Sequence, residues 1–249
     1  MSYQDFRPRS FQTLPPVIKN LLVINIILFI AKLLLEQRGI DLDKYLSLHW
    51  VTATDFRPYQ FITYMFMHAT RDVDGSIMLS HIGFNMFAVW MFGSVLENVW
   101  GGKKFLFYYV ITGLGAAVIQ YVVYYFQIQD INNQIKDIMS LQNLSAAENI
   151  NLIHQKREII DGMIILGASG SLFGILIAYG MMFPNQMLYV MFVMPVKAKW
   201  VVIVYGLIEL VMGFGHFAGD NVAHFAHLGG MLFGFIIILI WKKNHTFYS

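Results

Sequence analysis

The sequence predicts an all-α membrane protein, a bundle of six transmembrane helices with a partly embedded first outer loop. Three observations lead there. The chain is 57% hydrophobic and only 13% charged, against about 45–50% and about 25% in soluble domains. Six stretches approach the roughly 20 apolar residues that crossing a bilayer requires, at about 17–35, 78–96, 105–126, 163–182, 200–214 and 222–241. Lysine and arginine collect at one set of their ends: Arg7, Arg9 and Lys19, then Lys103 and Lys104, then Lys197 and Lys199, then Lys242 and Lys243. The segment 215–221, on the other side, carries neither.

Taken in order, residues 1–16 are a short cytoplasmic segment ahead of the first span. That span is too long for a signal-peptide core and lacks a small-residue cleavage site after it, so it is expected to be retained. The positive ends then set both termini in the cytoplasm. This gives a multi-pass protein, most naturally of the plasma (inner) membrane, with a six-helix membrane domain over 17–242 and a cytoplasmic tail over 243–249. The first outer loop, 36–77, is rich in aromatics and holds the apolar piece 61–67, which suits an interfacial position; Asp74-Gly75 reads as a turn. Residues 127–162 form an extracytoplasmic insertion. Ile131, Ile135, Ile138 and Met139 recur at helical spacing there, and Ser145 to Glu148 has the spacing of a capping box. One or two short amphipathic helices follow from this. The fifth span is the shortest, and residues 188–196 ahead of it form either a short interfacial strand or part of a longer hydrophobic segment.

Composition also excludes functions. There is no cysteine, so disulfides, thiolate catalysis and cysteine–zinc sites are ruled out. A net charge of +2 gives no basic surface for nucleic acid. The Met- and Phe-rich stretches suit lipid-facing or core positions rather than a cofactor pocket, and no cofactor is expected.

Strongly polar groups inside a span are costly and mark function by default. Span two carries His81 and Asn85, four apart and so on one face. Span four carries Ser169; span six carries His224 and His227. Spans two, four and six all enter from the outer side, and Ser169, His227, His81 and Asn85 each lie a few residues in. At about 1.5 Å per residue they share a depth of roughly 5–10 Å. Gly170 with Gly174, and Gly230 with Gly234, repeat the small-xxx-small spacing that lets helices approach closely in lipid. A contact of spans four and six would bring Ser169 to His227. A serine hydroxyl needs an adjacent base, and histidine suits that role. Donors for an oxyanion are available from His81, Asn85 and the Ser169 backbone N–H. No Asp or Glu is expected at the depth of the histidine, so the sequence predicts a dyad and no triad. Glu209, near the end of span five, reads as either an interfacial or a buried hydrogen-bonded group. His224, one turn from His227, is the alternative base. Ser171, His68 and His216 read as structural, and Glu97 as a tie from the inner end of span two to a loop.

These residues resemble the rhomboid family of intramembrane serine proteases. His81-Ile82-Gly83-Phe84-Asn85 resembles the family's H-x-x-x-N, Gly167-Ala168-Ser169-Gly170 its G-x-S-G, and Ala226-His227-Leu228-Gly229-Gly230 its A-H-x-G-G, in the family's order. Gly93, Glu97 and Gly101 resemble a further G-x-x-x-E-x-x-x-G. The resemblance implies a rhomboid-like six-helix core, Ser169 as nucleophile and His227 as general base. It also implies an oxyanion hole of His81, Asn85 and the Ser169 N–H, no metal, and transmembrane protein substrates cut near the outer end of their helix. An aromatic usually follows the serine by four residues; here Phe173 stands there, where it would pack on His227. Tyr59-Gln60 stands where many members have Trp-Arg. Three other function classes remain open at this point: a zinc enzyme using His81, His224 and His227, which lacks both H-E-x-x-H and a partner carboxylate; a transporter or channel, which needs polar groups across the whole membrane; and a non-cleaving relative that binds membrane clients.

Overall fold

The computed structural model describes residues 11–72, 74–141, 144–190, 193–215 and 223–244. It is an all-α membrane bundle. Five helices are long and apolar enough to cross a bilayer: α1 (Pro16–Glu36), α4 (Leu79–Trp100), α5 (Gly102–Leu141), α8 (Ala198–Gly215) and α9 (His224–Lys243). A shorter apolar helix, α7 (Ser169–Met182), stands among them and touches α4, α5, α8 and α9. The outer connections carry α2 (Asp43–Leu46), β1 (Leu48–His49), α3 (Gln60–Thr63), a 3-10 turn at Tyr64–Phe66, α6 (Ala146–Asp161) and β2 (Ile164–Ile165).

Each spanning helix buries one stripe and gives the rest to lipid. In α1 the buried residues are Ile18, Leu21, Asn25, Phe29 and Lys32, three or four apart as one helical face requires. Ile24, Ile27, Ile30 and Leu34 are exposed, as lipid-facing side chains should be. The first two free N–H groups of α1 are met from α4: Glu97 Oε1 accepts from Val17 N at 2.9 Å and Oε2 from Ile18 N at 2.8 Å. Glu97 therefore ties α4 to the start of α1 and not to a loop. Gly93, one turn before it, leaves the space that Ile18 fills. Gly101, at φ +77°, makes the sharp turn into α5.

Two elements differ from the sequence expectation. The insertion 127–162 is not separate from the third span: α5 runs unbroken for 40 residues, about 60 Å at 1.5 Å per residue, twice the roughly 30 Å hydrocarbon thickness. Between Gly115 and Leu141 there is neither glycine nor proline, so nothing stops the helix. Only α6 is separate. It opens with the capping box of Ser145 and Glu148 and is fastened below by Asp161, whose carboxylate accepts from Thr54 N at 2.8 Å and Thr54 Oγ1 at 2.9 Å. The fourth helix is also shorter than 163–182. Residues 164–165 pair with β1 instead, Leu48 opposite Ile165 and His49 opposite Ile164, and Gly167 at φ +121° ends the extended run.

The first outer loop is knotted by Gln60, which is fully buried. Its Oε1 accepts from Arg57 N at 3.0 Å and His49 N at 3.4 Å, and its Nε2 donates to Asp55 O at 2.9 Å. A glutamine thus holds the loop at the position where, by the resemblance, many members carry an arginine. Lys32 closes the loop against α1 through Asp43 Oδ2 (2.6 Å) and the His68 carbonyl (3.1 Å). On the opposite side, residues 188–190 and 194–196 fall on two antiparallel strands, β3 (Met187–Val190) and β4 (Met194–Lys197). The turn at Asp74-Gly75 is present, with Gly75 at φ +83° and its N–H on Asp72 O at 2.9 Å.

Candidate active site

Ser169 is the first residue of α7. The backbone reaches it through Gly167, whose N–H bonds Tyr64 O at 2.9 Å and whose positive φ an L side chain rarely adopts. The 14 residues of α7 span about 21 Å, some 9 Å less than the hydrocarbon core. A short central helix therefore begins below the level at which its neighbours emerge, and Ser169 sits half-buried at its N-terminus. Free backbone N–H groups and the positive end of the helix dipole gather there.

Close packing of α7 on α9 brings the histidine in. A Cβ at Gly230 would lie 1.9 Å from the Gly170 carbonyl oxygen, and one at Gly234 would lie 3.2 Å from Gly174 Cα. Only glycines permit that approach. One turn away, His227 Nε2 lies 2.8 Å from Ser169 Oγ. The Phe173 ring is stacked on the His227 ring, centroids 4.4 Å apart and planes 9° apart, which holds the imidazole flat against α7.

The far side of that imidazole corrects the sequence expectation. A carboxylate does lie at this depth. Glu209 of α8 accepts from His227 Nδ1 at 2.8 Å and from His224 Nδ1 at 2.6 Å, both on Oε2. Of the two roles left open for Glu209, the buried hydrogen-bonded one is the one found; the residue is 8% exposed. His224 is thereby separated from His227 in role: only His227 reaches Ser169. The absence of a carboxylate partner, used against a metal centre, also falls. Among the described residues Glu209, His224 and His227 each offer one ligand atom, all within 4.8 Å of one another. His81 is not of that group; its ring packs edge-on against His68 at 5.4 Å.

His81 and Asn85 lie on α4 next to Ile82 and Met86, which share a buried cluster with Ala168 at the start of α7. Among the described residues neither makes a hydrogen bond to Ser169. Asn85 Nδ2 donates to His81 O at 2.9 Å, and its buried Oδ1 has no partner. Ser171 turns away and donates to Tyr109 O at 2.8 Å. His68 is buried in the outer loop, and burial, then the neighbouring His81 and Lys32, pushes its imidazole down to about 3. His216 lies outside the described residues.

A family model described as the Rhomboid domain matches residues 55–244, about three-quarters of the chain. The chain belongs to the rhomboid family. No curated protein gives a significant match. Rhomboid proteins are in general serine proteases that act on membrane proteins within the bilayer, and this rhomboid chain is accordingly an integral, multi-pass membrane protein. What sequence reasoning missed is the partner of Glu209: its carboxylate meets His227 and His224. A signal was available: Glu209 lies five residues back from the predicted end of span five at 214, as His227 lies five residues on from the predicted start of span six at 222.

Proposed function

We propose that this rhomboid protein hydrolyses peptide bonds in or near the transmembrane segments of membrane-protein substrates, with Ser169 as nucleophile and His227 as general base. The observation that carries this is the 2.8 Å contact from His227 Nε2 to Ser169 Oγ, made between two helices in a chain without cysteine. In the acylation step the Ser169 hydroxyl proton passes to His227 Nε2 as Oγ bonds the scissile carbonyl carbon. The oxyanion forms beside the Ser169 backbone N–H at the head of α7, where donors and the helix dipole favour negative charge. Asn85 Nδ2 carries two protons; one is given to His81 O, and the other remains for the oxyanion. The His81 ring is the third donor. His227 then returns its proton to the leaving amine, and water attacks the acyl-enzyme by the same exchange in reverse. Gly167, Gly170, Phe173 and Gly230 shape the approach of α7 and α9 and take no part in the chemistry.

The orientation follows from the positive ends: both termini cytoplasmic, in the plasma (inner) membrane, with the site opening to the extracytoplasmic side. That suits the short α7, because water then reaches Ser169 from the side on which β2 and the first outer loop lie. Labelling with a fluorophosphonate probe tests the chemistry. The expected result is modification of Ser169 that is lost in His227→Ala, together with no cleavage of a single-span reporter by Ser169→Ala. Undiminished cleavage by Ser169→Ala would sink the proposal. A second assignment, a metal enzyme, is favoured by the grouping of Glu209, His224 and His227. Activity abolished by a chelator and restored by zinc selects it, and activity unchanged by the chelator selects the serine route.

A further inference from the structure

Glu209 is out of place on its own helix. Around it on α8, Leu207, Ile208, Leu210 and Val211 are all exposed as lipid-facing side chains. An ionisable group within a membrane span is costly unless it finds partners. It is buried on the single stripe of α8 that holds Ala198 and Val202, seven residues after Val202 and so on the same face. There it meets two imidazole nitrogens on one oxygen atom, His227 Nδ1 at 2.8 Å and His224 Nδ1 at 2.6 Å.

We infer that Glu209 is a positioning residue for His227, and that His224 holds Glu209 in place, so that the reacting pair is one end of a chain Ser169–His227–Glu209–His224. This rests on the assignment of Ser169 and His227 made above. An ionised carboxylate only accepts hydrogen bonds. Facing Oε2, His227 must therefore carry its proton on Nδ1, which leaves the Nε2 lone pair directed at the Ser169 hydroxyl. Without the carboxylate nothing selects that tautomer, and the other one presents an N–H to Ser169 and cannot take its proton. The same carboxylate stabilises the imidazolium that forms as Ser169 attacks, at a site with little water to do so. The His224 N–H fixes which way the carboxylate faces, and the Phe173 ring fixes the imidazole plane. The charge is thus needed in the transition state more than in substrate binding, which predicts a loss in kcat and not in KM.

The full-length protein, reconstituted with a single-span substrate, gives the test. Glu209→Gln keeps the shape and one acceptor but loses the charge, and its amide turned the other way enforces the wrong tautomer. The expected result is a kcat at least 100-fold below wild type, with KM within about threefold and thermal unfolding little changed. A triad carboxylate-to-amide change of the same kind costs about 10⁴-fold elsewhere. Glu209→Asp keeps the charge on a shorter arm and recovers at least tenfold of that loss. A kcat for Glu209→Gln within threefold of wild type overturns the inference, as does a fall in kcat with a rise in KM beyond about threefold that Glu209→Asp does not relieve. Where Glu209→Gln does not fold, His224→Leu probes the chain from its other end. A kcat drop of about tenfold supports the inference, and an unchanged kcat overturns it. Ser169→Ala separates the two levels. If it is inactive while Glu209→Gln is normal, only the role of Glu209 fails; if it still cleaves, the assignment of the serine itself fails.

Discussion

Replacing Gly230 with alanine tests the helix contact on which the candidate site depends. The added Cβ would lie 1.9 Å from the Gly170 carbonyl oxygen and 2.8 Å from its carbon. Both atoms are backbone, so no side chain can swing aside. Ordinary contact needs about 3.4 Å, so α7 and α9 must part locally by about 1.5 Å. The Ser169–His227 bond is on the same two helices, adjacent to Gly170 and three residues before Gly230. At 2.8 Å it has little slack: a displacement of about 1 Å along its line carries it past the 3.5 Å at which such a bond ceases to count. A misplacement of that size costs on the order of 100-fold in rate. Overpacking adds about 1–3 kcal/mol of destabilisation, which still leaves a folded protein. Gly83→Ala is the control, because a Cβ there meets nothing within 4 Å and alanine is the better helix former. Turnover of a single-span reporter, measured beside thermal unfolding in detergent, reads both effects. A folded Gly230→Ala protein that keeps more than a third of wild-type kcat would show that the site does not depend on this glycine contact.

Glu97→Gln leaves only one acceptor for the Val17 and Ile18 N–H groups that now receive a carboxylate. Losing a charge-assisted bond of this kind costs about 1.5–3 kcal/mol, and thermal unfolding should fall by about 3–10 °C; an unchanged midpoint counts against the tie between α1 and α4. Gln60→Ala strips partners from the Arg57 N–H and the Asp55 carbonyl and should destabilise by at least about 2 kcal/mol, with faster proteolysis within 43–60 as the local readout. His68 carries a pH signature. Burial holds it near 3 when folded, against about 6.5 when unfolded. Above the unfolded value neither state binds the proton. As pH falls below it the unfolded chain takes up a proton that the folded one refuses, so stability drops by up to about 1.4 kcal/mol per pH unit between pH 6 and 4. His68→Gln should flatten that slope, and an identical slope in the variant would assign it to other groups.

What could be read in the sequence was local. The capping box of Ser145 and Glu148 is a four-residue pattern and forms as one. The glycine spacing of 170, 174, 230 and 234 is a surface property of two helices, and it marks where they touch. What could not be read depends on neighbours. Apolarity starts the fourth span at 163, yet residues 164–165 pair with β1, because the outer loop presents a strand edge to them. Ser169 therefore starts its helix instead of lying inside it, which is what places a cluster of free N–H groups beside the hydroxyl. Polarity rises near 126, where apolarity ends the third span, but polarity alone does not end a helix. Its continuation to Leu141 needs only the absence of breakers.

Glu209 obeys the same depth rule from the opposite direction. Spans two, four and six enter from the outer end, whereas span five leaves there. Counted backward from Gly215, the last residue of α8, Glu209 lies six residues down, about 9 Å at 1.5 Å per residue. That is within the 5–10 Å band expected for Ser169 and His227 from the predicted spans. Depth alone does not choose a face, and most of α8 looks toward lipid. The face is chosen by energy. A carboxylate turned outward would stand in hydrocarbon without a donor, whereas turned inward it meets His224 and His227, each with an N–H. The two histidines, one turn apart on α9, supply the only pair of donors that this stripe of α8 meets among the described residues. An acid in a membrane helix, at the depth of a histidine pair, therefore points at that pair, and the helix rotates to let it.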